Sequence, residues 1–291
     1  MINQQGGFAL VVVLWMLALL TLMAGGYSAT MRTESRQTAN YMRSAQAGAI
    51  AEAGIWLATR ELQRPDKERR WRSDNTPYDL DLFDAKVTLK IQNEAGKIDL
   101  NSARPELLQG LLESVNSKQS GQDNNDVLQA ILDWRDRDKL VRVNGAEDDA
   151  YKAAGYNYGA KNGPFNSIDE LRLVMGMTDD IYRKIAPDLT IYSHLPGINP
   201  QFADKGALLA LSGKDQQRVE DYLSTRSANP PSAAMEFLTG ADQRYFLNTT
   251  SNVVTITSTG IVSGTRATIV AVLLLTRRPT QPYIILSWRR T

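Results

Sequence analysis

The sequence predicts an α+β protein. A long N-terminal helix, apolar in its first half, packs on an antiparallel sheet, and a large all-α insertion interrupts that sheet. Three observations carry this expectation. An uncharged apolar run lies near the N-terminus, strand-like alternation appears at 83–92 and then only beyond residue 251, and the stretch between is a series of short helical segments. At 291 residues the chain has room for two compact domains or one domain with a large insertion.

Composition excludes much of familiar enzymology. Lys and Arg number 33 against 32 Asp and Glu, so a formal charge of +1 gives no whole-molecule attraction to nucleic acid or acidic lipid. With no cysteine there are no disulfides, thiolate nucleophiles or Cys-ligated zinc. The one histidine, His194, cannot build a His-cluster metal site, argues against a Ser-His-Asp triad, and reads as a linker residue. No enzymatic activity is expected.

The first charged side chain is Arg32. From Phe8 the chain is apolar to Ala24 apart from Thr21, and extended to Ala29 it gives about 22 helical residues, roughly 33 Å, close to a bilayer core of ~30 Å. A buried core helix would show a polar face, and this run has none. A cleaved secretory signal would carry a basic leader and a small-x-small site after the apolar core; Met1–Gly7 has no Lys or Arg, and Ala24-Gly25-Gly26 is a weak candidate. Gly6-Gly7-Phe8 leading straight into an apolar helix resembles the start of type IV pilins and pseudopilins. That resemblance implies cleavage by prepilin peptidase between Gly7 and Phe8, with methylation of Phe8. It also sets Val12 at the fifth mature position, where most of the family has a Glu that engages the preceding subunit. The absence of that Glu suggests a subunit with no predecessor. The positive-inside rule does not support this orientation, since Arg32, Arg36 and Arg43 lie on the outer side.

No proline interrupts 32–63, and Pro65 marks the helix end. Ala39, Met42, Gln46, Ala49, Ala53, Trp56 and Leu57 fall near one face, and the small residues of 45–54 permit close approach of a neighbour. Strands follow at 83–92, 252–258, 260–276 with a turn near Ser263-Gly264, and 283–288. The apolar run 269–275 is too short to span a membrane and reads as a central strand. Between the sheet portions, helices are broken at Gly96, Gly121, Pro164, Gly176, Pro196, Gly213 and Pro230-Pro231.

Within this insertion Lys97-Ile-Asp-Leu-Asn-Ser-Ala103 recurs as Gly197-Ile-Asn-Pro-Gln-Phe-Ala203, with Leu108 and Leu111 matched by Leu208 and Leu211. A third related piece runs from Phe165 through Met175-Gly-Met-Thr178. These resemble helix-hairpin-helix or SAM-like units. Such hairpins bind DNA through exposed backbone amides, but Asp179-Asp180 after Gly176 would repel phosphate, so a packing or protein-contact role is expected.

The acidic stretch Asp133-Trp-Arg-Asp136-Arg-Asp138, with Glu147, Asp148 and Asp149, is the candidate site. Asp136, Asp138 and Glu147 take positions 1, 3 and 12 of an EF-hand count, but Val141 stands where that loop needs Gly. Oxygen donors without His or Cys suit Ca²⁺; a solvated loop of Asp–Arg pairs is the equally open alternative.

The leader, Val12, the acidic stretch running to Tyr151, the α-insertion and Ser287-Trp-Arg289 together resemble the K-type minor pseudopilins of type II secretion systems. The resemblance implies a leader at 1–7, an N-terminal helix at 8–63 (transmembrane about 8–29), a pseudopilin α/β core at 64–93 and 247–291, and an inserted α-domain at 94–246. It implies two calcium sites, with Asp133, Asp136, Asp138, Glu147 and Asp148 as ligands and Asp149 less firmly so. It also implies I- and J-type minor pseudopilins and further pseudopilins as partners, with no nucleic acid among them. The chain would be anchored once in the inner membrane with its globular part in the periplasm, at the pseudopilus tip, initiating assembly for protein secretion across the outer membrane. The rivals are a membrane-anchored helix-hairpin-helix DNA-uptake protein and a hydrolase using the acidic cluster. Two departures stand out: the uncharged leader, and Gln201-Phe202 where the second repeat would usually carry Asn-Thr.

Overall fold

One helix, α1 (Gly6–Leu62), begins the chain and runs unbroken from the apolar segment onto a sheet. The computed structural model describes residues 6–115, 124–213, 215–226, 243–278 and 280–290; residues 1–5 of the expected leader and the breaks at Gly121 and Pro230-Pro231 lie outside them. Arg60 in the last turn suits the negative end of the helix dipole, and Pro65 prevents continuation.

The face that α1 buries differs from the one its spacing suggested. Gln46 and Ala49 are exposed, whereas Ala47, Ala51, Ile55 and Ala58 are wholly buried. The smallest side chains decide this. A Cβ on Gly54 would collide with Ser258 and Leu89, and one on Gly260 with the Ala47 carbonyl, so helix and sheet meet backbone to backbone along the Gly/Ala stripe. Trp56 sits at the flank, stacked on Trp288 at 5.6 Å and tilted against Tyr283 at 5.1 Å.

The sheet comprises β1 (Asp74–Leu82), β2 (Ala85–Asn93), β5 (Val253–Val262), β6 (Thr265–Arg278) and β7 (Gln281–Arg290), in that spatial order and antiparallel throughout. Strand β1 was not evident from the sequence, because Pro77 and alternating Asp residues mask Tyr78, Leu80 and Leu82. The strand expected at 83–92 starts later, at Ala85. Phe83 and Asp84 are the hairpin turn, both at positive φ (50° and 64°), as a type I′ turn requires.

The chain leaves the sheet at Asn93 and re-enters at Val253, and β2 and β5 are neighbours with Asn93 opposite Val254. The Asn93 amide ties the two crossings together, donating to Ser251 O (2.8 Å) and accepting from Ser251 N (3.0 Å). Between them lie α2 (Pro105–Val115), α3 (Asn124–Arg135), α4 (Asp148–Ala153), α5 (Asp179–Ile185), α6 (Lys205–Leu211) and α7 (Gln216–Arg226). Two short strands, β3 (Ile98–Asp99) and β4 (Leu189–Thr190), pair in parallel.

The internal repeat is structural. Leu108 and Leu111 of α2 and Leu208 and Leu211 of α6 share one core, and a Cβ on Gly110 would stand 2.6 Å from the Ala210 carbonyl, so the matching helices cross closely. An arginine closes each unit. Arg135 donates to the carbonyls of Leu100 (2.6 Å) and Ala103 (3.0 Å); Arg226 donates to those of Pro200 (3.1 Å) and Ala203 (2.6 Å). The third related piece docks on the first unit, where Asn101 and Phe165 exchange two hydrogen bonds of 3.0 and 2.7 Å.

Candidate metal centre and membrane anchor

Helix α3 delivers the acidic cluster. Its last turn places Asp133 in the core with no solvent exposure, beside Trp134, which packs against Tyr151 and Phe165. Beyond Arg135 the chain leaves the core, and the loop returns so that the Arg142 N–H donates to Asp133 Oδ2 (3.3 Å). Gly145 is required there, because a Cβ would strike the Asp133 carboxylate; Gly159 lies equally close to the Asp148 carboxylate.

Among the six expected ligands, Glu147 lies within electrostatic reach of Asp133, Asp136 and Asp148. The Glu147 carboxyl is pushed up by burial and by the negative charges of Asp133, Asp136 and Asp148. Burial also raises the Asp133 carboxyl, against the N–H groups of Arg142 and Ala146 and the Arg142 charge, with Asp136 adding to the rise. Asp138 contributes differently: its Oδ1 accepts the Leu140 N–H at 2.9 Å, closing an Asx turn that shapes the loop. Asp149 does not join the others. Its side chain is fully in solvent, 3.7 Å from Lys152.

Sequence reasoning gave no individual role to two further residues. Arg142 bridges the cluster, with Nη2 3.0 Å from Asp136 Oδ2 and Nε 3.2 Å from Asp133 Oδ1. Asn162, with its amide turned to donate, reaches Glu147 Oε2 (3.2 Å) and the Asp138 carbonyl (3.0 Å). Its signal was the Asn-Gly-Pro turn at 162–164, which holds Asn162 at φ 52°.

Two carboxylate oxygens in the cluster, Asp133 Oδ1 and Asp136 Oδ1, are buried and make no hydrogen bond; the Arg142 Nε contact lacks the alignment of one. Orphaned carboxylate oxygens in an all-oxygen donor set fit a hard cation. Among the described residues, no three carboxylate or imidazole groups stand close enough together to hold a metal ion. A bound ion would therefore have to draw Asp133, Asp136, Glu147 and Asp148 inward.

At the other end of the molecule, α1 is long and apolar enough to cross a membrane, and none of its most apolar window is buried. Helix α1 continues through Gly7 and Phe8, and Val12 stands 41% exposed on the apolar stem. A membrane-length helix continuing onto an antiparallel sheet, with a helical domain set into a hairpin of that sheet, is the arrangement that the pilin resemblance implies.

Comparison with known proteins narrows the class. Residues 87–194 match the family described as type II secretion system (T2SS), protein K. The chain is 27% identical to type II secretion system protein K of Aeromonas hydrophila over 269 residues, covering 83% of this chain and 81% of that one. It is 28% identical to protein K of Klebsiella pneumoniae over 268 residues, covering 81% and 79%. Its fold matches a chain in the crystal structure of the GspK–GspI–GspJ complex from enterotoxigenic Escherichia coli, with a TM-score of 0.53 at 19% identity, over 90% of this chain and 99% of that one. In sequence and fold the chain is thus similar to the K-type minor pseudopilins of type II secretion systems, the family that the sequence resemblance pointed to.

Proposed function

We propose that the chain caps the type II secretion pseudopilus, assembling first with the I- and J-type minor pseudopilins in the inner membrane and thereby initiating the fibre that drives secretion across the outer membrane. The observation that carries this reading is the pairing of Val12 with the inserted domain. A subunit without the fifth-position Glu has no carboxylate to neutralise against a predecessor in the bilayer, where an unpaired charge is costly. The helical domain, set into the sheet at Asn93 and Val253, adds bulk that a further subunit would have to pass. The E. coli chain of matching fold stands in a complex with GspI and GspJ, and this supports equivalent partners here.

In this reading prepilin peptidase cuts between Gly7 and Phe8, the apolar stem anchors the chain once in the inner membrane, and the globular part lies in the periplasm. Calcium, held by Asp133, Asp136, Glu147 and Asp148, supplies a cross-link between the end of α3 and the start of α4. The role is structural, with no catalytic step.

The test is location. Pseudopili assembled with an epitope-tagged chain should carry label at one end only, and deletion of the gene should abolish both fibre assembly and exoprotein release. Label distributed along the fibre would overturn the cap assignment. Val12→Glu should disturb end placement or assembly, read in the same assay.

A further inference from the structure

We infer that Arg142 is a built-in counter-cation of the carboxylate cluster, so that a divalent ion enters only by displacing its guanidinium, and Arg142 thereby sets the concentration at which the site fills. This inference rests on the calcium reading above. The guanidinium spans the two carboxylates that end α3, reaching Asp136 Oδ2 at 3.0 Å and Asp133 Oδ1 at 3.2 Å. Calcium binds carboxylate oxygens at about 2.3–2.6 Å, so an ion drawn between the two aspartates competes with the guanidinium for the charge and the space they share.

Three details make the residue displaceable. Its backbone N–H holds Asp133 Oδ2 independently of the side chain, so the loop remains anchored when the side chain leaves. The Arg142 side chain is 46% exposed, while that of Asp133 is wholly buried, so the guanidinium has a route to water and the carboxylate has none. Its hold is also incomplete, since Oδ1 of each aspartate stays without a hydrogen bond. Two neighbouring cations do not reach the aspartate pair: Arg135 clamps the Leu100 and Ala103 carbonyls, and Lys139 lies on Asp148 alone, 3.2 Å from its Oδ2.

The experiment titrates calcium, by calorimetry and by melting temperature, into the purified full chain in detergent, comparing wild type, Arg142→Gln and Arg137→Gln. The last removes the same charge from the same loop and controls for simple electrostatics. Arg142→Gln should bind calcium about three- to fivefold more tightly than wild type, the range expected for losing a half-exposed ion pair, and should melt lower in chelator. Arg137→Gln should show no comparable tightening. Arg142→Lys, which keeps the charge but loses the fork, should tighten binding less and maintains the test if the Gln variant does not fold. Unchanged or weaker binding by Arg142→Gln, or equal tightening in both Gln variants, overturns the inference while leaving the calcium reading intact. Absence of calcium binding in wild type and variants alike removes the calcium reading, and this inference with it.

Discussion

The two helical units of the inserted domain are built alike and used differently. Each begins with a buried Ile, Ile98 or Ile198, places a pair of leucines in a shared core, and ends at an arginine that closes its own entry turn. In the second unit that arginine has a further task. Arg226 is buried and also donates to the Asp74 carbonyl (3.3 Å) on the edge strand of the sheet, while Asp204, before α6, accepts from Asn75 (2.9 Å) and Gln92 (3.0 Å). In the first unit Arg135 is half-buried, and the chain beyond it swings out to form the acidic loop. Asp133, two residues before Arg135, corresponds to Ser224 before Arg226. One copy of the hairpin brackets the domain to the sheet; the other mounts the acidic loop.

If this division is right, core and clamp substitutions should respond differently. Leu108→Ala and Leu208→Ala remove equivalent buried side chains from one core, and each should destabilise by about 3 kcal/mol in denaturant unfolding. A large inequality would break the symmetry argued from the repeat. Arg226→Ala strips three carbonyls of a donor, and Arg135→Ala strips two in a wetter setting. The expected losses are about 2–3 and about 1–2 kcal/mol, and only the former should raise proteolytic cleavage at the junction between domain and sheet.

A pH effect sharpens the contrast. Asp188, whose Oδ1 accepts the Ala207 N–H at the start of α6 (3.1 Å), is pushed up to about 6, chiefly by burial, with Asp204 adding and Lys97 opposing. The folded state thus keeps a proton that the unfolded chain has released between about pH 4 and 6. Stability from this group is complete below the ordinary carboxylate range and is lost as pH rises through about 6. Unfolding free energy should fall by about 1–1.5 kcal/mol from pH 5 to pH 8, and Asp188→Asn should flatten that slope. The smallest expected effect belongs to the other unit. Millimolar Ca²⁺, but not Mg²⁺, should stabilise the full chain by about 1 kcal/mol, and Asp136→Ala with Asp138→Ala should abolish the rise in melting temperature.

How far the sequence disclosed this arrangement depended on the scale of each signal. Elements written as unbroken patterns were readable: the apolar stem, β2 and β5–β7, and the hundred-residue echo of Ile98 in Ile198. Strand β1 was hidden because its outward positions are aspartates on an edge. The buried face of α1 was misplaced by about a residue, because close approach selects Gly and Ala over the bulkier Trp56 and Met42. At the acidic loop the residue types were evident, but pairing is a property of the folded loop. Nothing in the spacing puts Arg142 on Asp133 and Asp136, sends Asp149 into solvent, or brings Asn162 to Glu147.

The crossing at Asn93 and Ser251 carries a consequence for how such a protein could arise and be re-engineered. Two antiparallel neighbours with adjacent ends form a hairpin that a short turn would close, so the whole helical domain occupies the place of a turn. It is a cassette: excising 94–253 and joining Asn93 to Val254 with Asn-Gly should leave a smaller sheet protein still wrapped on α1. Conversely, the same hairpin could accept a foreign domain with close termini, carried on the same apolar stem.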